Sequence, residues 1–144
     1  MESIKKSPFR LTQFIVKEFN IIREPVKQGK IDFKINPSGI IDETNKIFKL
    51  TLEMFVKDIS GSFDISLKAY GFFEFKNAPS ADQLSGYFYT NAPAIIFPYI
   101  RAYISAITAL SGLNAVNLPV MNLVSLRSAL KANTVNELIN KAAK

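Results

Sequence analysis

Nucleophiles and acids are present in this chain, but the bases that would activate them are not. Serines and threonines are plentiful, yet histidine is absent, which excludes Ser-His-Asp activation. Cysteine is absent as well, so no thiolate or disulfide can form and the two commonest zinc ligands are missing together. Composition alone leaves only a serine–lysine arrangement open. Carboxylates adjoin at Asp42 and Glu43, but neighbours in a polar stretch share one solvated setting, whereas acid–base catalysis needs two unlike ones. No GxGxxG, Walker A, HExxH or GxSxG pattern occurs. The expectation is a protein that is not an enzyme and holds no metal or cofactor.

What the chain has to position, then, is apolar surface. With 144 residues, 48% hydrophobic and 21% charged, it suits one globular domain spanning 1–144 around one core. The start, Met1-Glu-Ser-Ile-Lys-Lys, lacks the apolar run of about seven residues that a signal peptide needs. Together with the missing cysteines this fits a cytoplasmic address.

Period-two patterning dominates the first half. A strand is expected from Phe9 to Glu24, ended by Pro25, with Phe9, Leu11, Ile15, Phe19 and Ile21 on one face and Phe14, Val16 and Ile22 opposite. Ile31, Phe33 and Ile35 alternate with Lys30, Asp32 and Lys34 in a short strand that Asn36-Pro-Ser-Gly39 should stop. Phe48, Leu50, Leu52, Met54 and Val56 form the inner face of a third strand. After the hairpin-sized Ile59-Ser-Gly-Ser62, the residues Phe63, Ile65, Leu67, Ala69, Gly71, Phe73 and Phe75 form that of a fourth. Short turns between successive strands imply antiparallel pairing.

Beyond Asn77-Ala-Pro-Ser80 the period changes. Ile96, Ile100, Tyr103, Ile104, Ile107 and Leu110 recur at helical spacing, with Pro98 suited to a first turn and Gly112 to a stop. Asn114 to Asn122 reads as an irregular connection, and Leu123, Leu126 and Leu130 mark a second helix. Thr134-Val-Asn-Glu137 has the spacing of a capping box that would restart it.

Between Asp82 and Arg127 the only charge is Arg101. A membrane span is one explanation, but Asn114, Asn117, Pro119 and Asn122 break the run into pieces too short to cross, so no stable insertion is expected. A helix lying on a sheet normally shows charges on its outer face. This one shows Ala102, Ser105, Ala106, Thr108 and Ala109, which points to burial on both sides, the second against another subunit.

The net charge of +6 admits nucleic acid as a partner, with Phe55, Tyr70 and Phe72 available to stack bases. The lysines are scattered through the first half, however, and no RNP-type motif accompanies them, so solubility explains the charge as well.

The stretch Ile95-Ile-Phe-Pro-Tyr-Ile-Arg101, an uncharged helix, and then Val116-Asn-Leu-Pro-Val-Met-Asn-Leu123 together resemble the SecB export-chaperone family. Gly71-Phe-Phe-Glu-Phe75 is similar to the end of that family's last strand, and the first two strands match in order. The resemblance implies an α+β fold, a four-stranded antiparallel sheet with two C-terminal helices, assembled as a dimer of dimers. It implies an ATP-independent holdase that keeps unfolded preproteins competent for export. Some SecB-like proteins instead guard an antitoxin in a toxin–antitoxin system.

By position, the family's client groove would comprise Ile31, Phe33 and Ile35, the crossover Phe97, Pro98 and Tyr99, and Leu118, Leu126 and Leu130. Tyr103, Ala106, Ile107 and Leu110 would form the assembly surface. The family docks the SecA translocation ATPase through carboxylates on its sheet. Glu18 stands at one such position, Ile22 near the other, and the chain is basic where familiar members are acidic.

Overall fold

The computed structural model describes residues 8–137. The alternating segments form four long strands, β1 (Phe9–Arg23), β2 (Ile31–Asp42), β3 (Ile47–Asp58) and β4 (Phe63–Phe75). Among these four every pairing is antiparallel. A short fifth strand, β5 (Thr134–Asn136), pairs parallel with β2. The sheet is therefore five-stranded and mixed, in the order β1-β4-β3-β2-β5, rather than four-stranded and antiparallel.

Two β-bulges explain the imperfect pattern of β1. Its register against β4 slips between Leu11 and Gln13 and again between Val16 and Glu18. Each extra residue reverses which side chains face inward. Phe14 and Val16 therefore lie opposite Gly71 and Ala69 on the core face, while Ile15 lies opposite Tyr70 on the outer one. The expected inner row of Phe9, Leu11, Ile15, Phe19 and Ile21 is corrected to Phe9, Leu11, Phe14, Val16, Phe19, Ile21 and Arg23.

The expected stop at Asn36–Gly39 does not occur, and β2 continues to Asp42. Pro37 is tolerated because its nitrogen lies on the side away from β3, where no ladder bond is required. Its carbonyl on that same side accepts from Asn133 Nδ2 at 3.2 Å.

One continuous helix of 29 residues, Ala81–Ala109, lies across the inner face of the sheet. It opens with α1 (Ala81–Gln83), widens into a π-helical stretch over Leu84–Asn91, and continues as α2 (Ala92–Ala109). Ser80 and Gln83 form a reciprocal capping box at its start, so the helix begins well before the Ile96 that periodicity suggests. The π stretch turns Phe88 into the core, where its ring centroid lies 4.8 Å from Phe48, 4.9 Å from Phe9 and 5.2 Å from Phe75. Pro98 sits inside α2, not in its first turn. Both it and Ala94, whose carbonyl would otherwise accept from residue 98, are on the exposed side of the helix.

By length and composition this helix would suffice to cross a membrane, with mean hydropathy 1.2. Its Ile96, Ile100 and Ile104 are fully buried, which is the arrangement of a core helix. The interrupting asparagines all lie after its end. Gly71 lets it approach closely: a Cβ there would sit 2.7 Å from Ile96 Cγ2. At the far end Arg23 reaches across to donate to the carbonyls of Thr108 and Asn114, a cation placed at a helix C-terminus.

The connection after Gly112 buries Val116, Leu118 and Leu123, and a 3-10 turn over Val124–Leu126 leads into α3 (Arg127–Ala132). Thr134–Glu137 does not cap a helix. Residues 134–136 are strand, Thr134 Oγ1 donates back to the Leu130 carbonyl, and any helix beyond lies outside the described residues.

Candidate functional site

Ile31, Phe33 and Ile35 lie opposite Asp58, Val56 and Met54, and so on the face of the sheet that carries the core. Val56 and Met54 are buried, whereas the three β2 residues stay half-exposed, and among the described residues no strand flanks this part of the sheet. The polar residues between them, Asp32, Lys34 and Asn36, point to the outer face and are exposed. Leu126 and Met121 are likewise half-buried against the core, and Val120 is 83% exposed.

The other residues placed by resemblance divide. Phe97, Leu118 and Leu130 are core residues, 4%, 2% and 0% exposed. Tyr99 is exposed, and its ring lies tilted against that of Phe14 of β1, on the flank of α2 turned away from β2. Pro98 is exposed and shares an open pocket with Arg101, Ala102, Ser105, Asn117 and Leu118. Arg101 Nε donates to the Leu118 carbonyl at 3.0 Å, fixing the connecting loop to the helix. Ile31, Phe33, Ile35 and Leu126 are thus each half-exposed and packed against the core, and Tyr99 lies on the β1 flank.

On α2 and at its C-cap, Ala102, Ala106, Ile107, Ala109 and Leu110 are exposed and no charge stands among them. Leu110 is 86% exposed. Tyr103 is half-buried, its ring edge-on to Phe19 at 5.3 Å. Thr108, expected on the outer side, is fully buried: its hydroxyl donates to the Ile104 carbonyl and accepts from Val116 N. Ser105 is held by Asn117 at 2.7 Å. The outer face is therefore narrower than the sequence suggests, but it is bare of charge.

The outer face of the sheet differs in kind. Phe72 is buried and Tyr70 half-buried, with Lys49 Nζ 4.0 Å above the Tyr70 ring centroid. The aromatics expected to stack bases are thus occupied by the chain's own side chains, apart from Phe55 at 39% exposed. Glu18 is exposed opposite Lys68, whose ammonium lies 3.8 Å from Glu53. Ile22, on the same face, is 62% exposed.

Among the described residues no cluster of acidic side chains is suited to a metal. Ser128 and Lys131 have serine–lysine spacing on α3, but both are exposed. Asp42 is buried and accepts from Asn45. Asp58 is buried where two turns meet, accepting from Gly29 N, Ser60 N and Ser62 N as well as the Ser62 hydroxyl. These bonds, the Ser62 hydroxyl foremost, hold its carboxyl below the ordinary value against the opposing effect of burial.

The model of the family described as preprotein translocase subunit SecB matches residues 17–133. The chain belongs to the SecB family. An uncharacterized protein of Methanocaldococcus jannaschii is 33% identical over 141 residues, 91% of this chain and 90% of that one. A SecB-like chaperone of Mycobacterium tuberculosis, solved with a peptide from the HigA1 antitoxin, overlays with a TM-score of 0.66 at 18% identity. The overlay covers 78% of this chain and 90% of that one, a likeness of fold. SecB membership accounts for the α+β architecture of a sheet followed by two helices, and the SecB family is in general non-enzymatic. Sequence reading overlooked Asp58, whose signal was the polar turn that follows it.

Proposed function

We propose that this SecB-like protein is an ATP-independent holdase that takes non-native polypeptide along β2. The observation that carries this is the row Ile31, Phe33 and Ile35, apolar side chains on the core face that the chain itself leaves half-uncovered. A client without fixed structure offers only apolar side chains and backbone, and this row addresses both. Burying about 400 Å² of client apolar surface yields roughly 10 kcal/mol gross. Ordering the client consumes much of it, so single grooves bind weakly and several copies gain by avidity.

Assembly through the uncharged face of α2, at Ala106, Ile107 and Leu110, would supply those copies as a dimer of dimers. The proposed setting is the cytoplasm, with unfolded preproteins as clients. A dedicated antitoxin client is the second reading, and the fold shared with the antitoxin-bound chaperone of M. tuberculosis favours it. Docking of SecA through Glu18 has little to support it, since Lys68 stands opposite and Ile22 replaces the other carboxylate. Nucleic-acid binding is disfavoured by the occupied aromatics of the outer face.

Titrating a reduced, unfolded protein and a single-stranded oligonucleotide in parallel at two salt concentrations tests the reading. Client binding should persist in salt, and oligonucleotide binding, if any, should fall steeply. Binding of the oligonucleotide alone would overturn the proposal. Co-purification of one stoichiometric partner would select the dedicated version.

A further inference from the structure

Resting on assembly through α2, we infer that Arg101 and Asn117 form a site for a small oxyanion of the phosphate or sulfate class, taken up at the margin of that contact. Arg101 is the only charged side chain between Asp82 and Arg127, and no carboxylate side chain occurs from Gln83 to Asn136. Its side chain is half-buried and held in place, with Nε donating to the Leu118 carbonyl at 3.0 Å. The two terminal amino groups have no acceptor among the described residues. They are the end of the guanidinium fork, two parallel N–H groups spaced to meet two oxygens of one oxyanion.

The open pocket that Arg101 lines measures about 260 Å³. A water takes about 30 Å³, so an oxyanion with part of its hydration shell has room. Asn117 supplies a further donor: its Oδ1 accepts from the Ser105 hydroxyl at 2.7 Å, and its amide nitrogen has no partner among the described residues. The remaining walls, Pro98, Ala102 and Leu118, bring no side-chain acceptor.

Ala102 belongs both to this pocket and to the bare face of α2. In an isologous contact that face meets its own copy, so each Arg101 approaches a helix that carries no acid. A cation desolvated without a counter-charge is costly, and two brought near each other repel. The facing helix cannot neutralise them, which favours an anion from solution. A ligand bound more tightly by the assembled form shifts the equilibrium toward assembly.

Isothermal titration calorimetry of the whole chain with inorganic phosphate, against chloride at matched ionic strength, tests the site. Sedimentation velocity in the same two salts tests its link to assembly. Phosphate should bind, and at about ten times its dissociation constant it should tighten assembly by roughly tenfold for each anion taken up. Arg101→Gln should lose the binding and this gain. Phosphate also strengthens apolar association in general, but the variant keeps that contribution, so the difference between the two proteins isolates the site. Asn117→Asp sets a carboxylate in the pocket and should lose phosphate binding while assembling tightly in chloride alone. That variant decides the matter if Arg101→Gln does not fold. No phosphate binding, equal binding by Arg101→Gln, or binding without a change in assembly would each overturn the inference and leave assembly through α2 standing. Monomers in both salts at every concentration would overturn the assembly reading itself, and this inference with it.

Discussion

The ring of Tyr99 lies against that of Phe14, with 5.5 Å between centroids, on the β1 side of α2. β1 and β2 are at opposite ends of the four long strands, so this contact separates Tyr99 from the half-exposed row on β2. Tyr99 and the β2 row, which family resemblance assigns to one groove, thus lie at opposite sides of the sheet.

Truncating each side should therefore have unequal effects. Phe33→Ala should weaken binding of an unfolded client by about tenfold, the value of burying most of an aromatic ring. Tyr99→Ala should change it by much less. Anisotropy titrations of both variants decide the matter, and a larger loss at Tyr99 would move the groove to the β1 flank.

A charge on the bare helix face should dissociate the assembly. Ala106 and Leu110 are exposed in the single chain, so Ala106→Glu or Leu110→Asp leaves the fold intact while burying a charge in any interface formed there. Sedimentation velocity should show smaller species with an unchanged far-ultraviolet spectrum. Unchanged mass would place the interface elsewhere.

Asp58 should make stability depend on pH in acid. Its folded-state pKa lies below the ordinary 3.8, so ionised Asp58 stabilises the fold above that value. The contribution falls away as pH drops through the lower, folded-state pKa. Asp58→Asn should reduce the melting temperature at neutral pH and flatten its decline below pH 3.8. Thermal melts across that range provide the comparison.

Gly71 should be intolerant of a side chain. A methyl group 2.7 Å from Ile96 Cγ2 must displace α2 from the sheet, at a cost of about 1–3 kcal/mol. Urea denaturation of Gly71→Ala should show this loss, and Ile96→Ala in the same background should recover part of it. Additive effects would mean that the two positions do not touch.

Much of the fold was legible because alternation is local. The inner faces of β3 and β4 follow directly from residues 48–56 and 63–75, and the helical period from Ile96 onward marks the core face of α2. In β1 the same rule failed, since a bulge shifts parity without changing composition. Only pairing with β4 reveals that Phe14 faces in and Ile15 out. Pro37 misled for a related reason: proline is harmless where its nitrogen faces an unpaired edge, and an edge is a property of the sheet. The capping box at Ser80 was readable and would have located the helix start.

The sequence by itself determined that the protein has no histidine or cysteine chemistry, that its sheet is built from alternating strands, and that one helix carries almost no charge. Those are matters of residue type and local period. Tertiary structure alone decided which apolar residues stay half-covered, because exposure depends on what packs alongside. Phe97, Leu118 and Leu130 are as apolar as Ile31, Phe33 and Ile35, yet the former lie beneath helix and loop and the latter lie where the sheet ends.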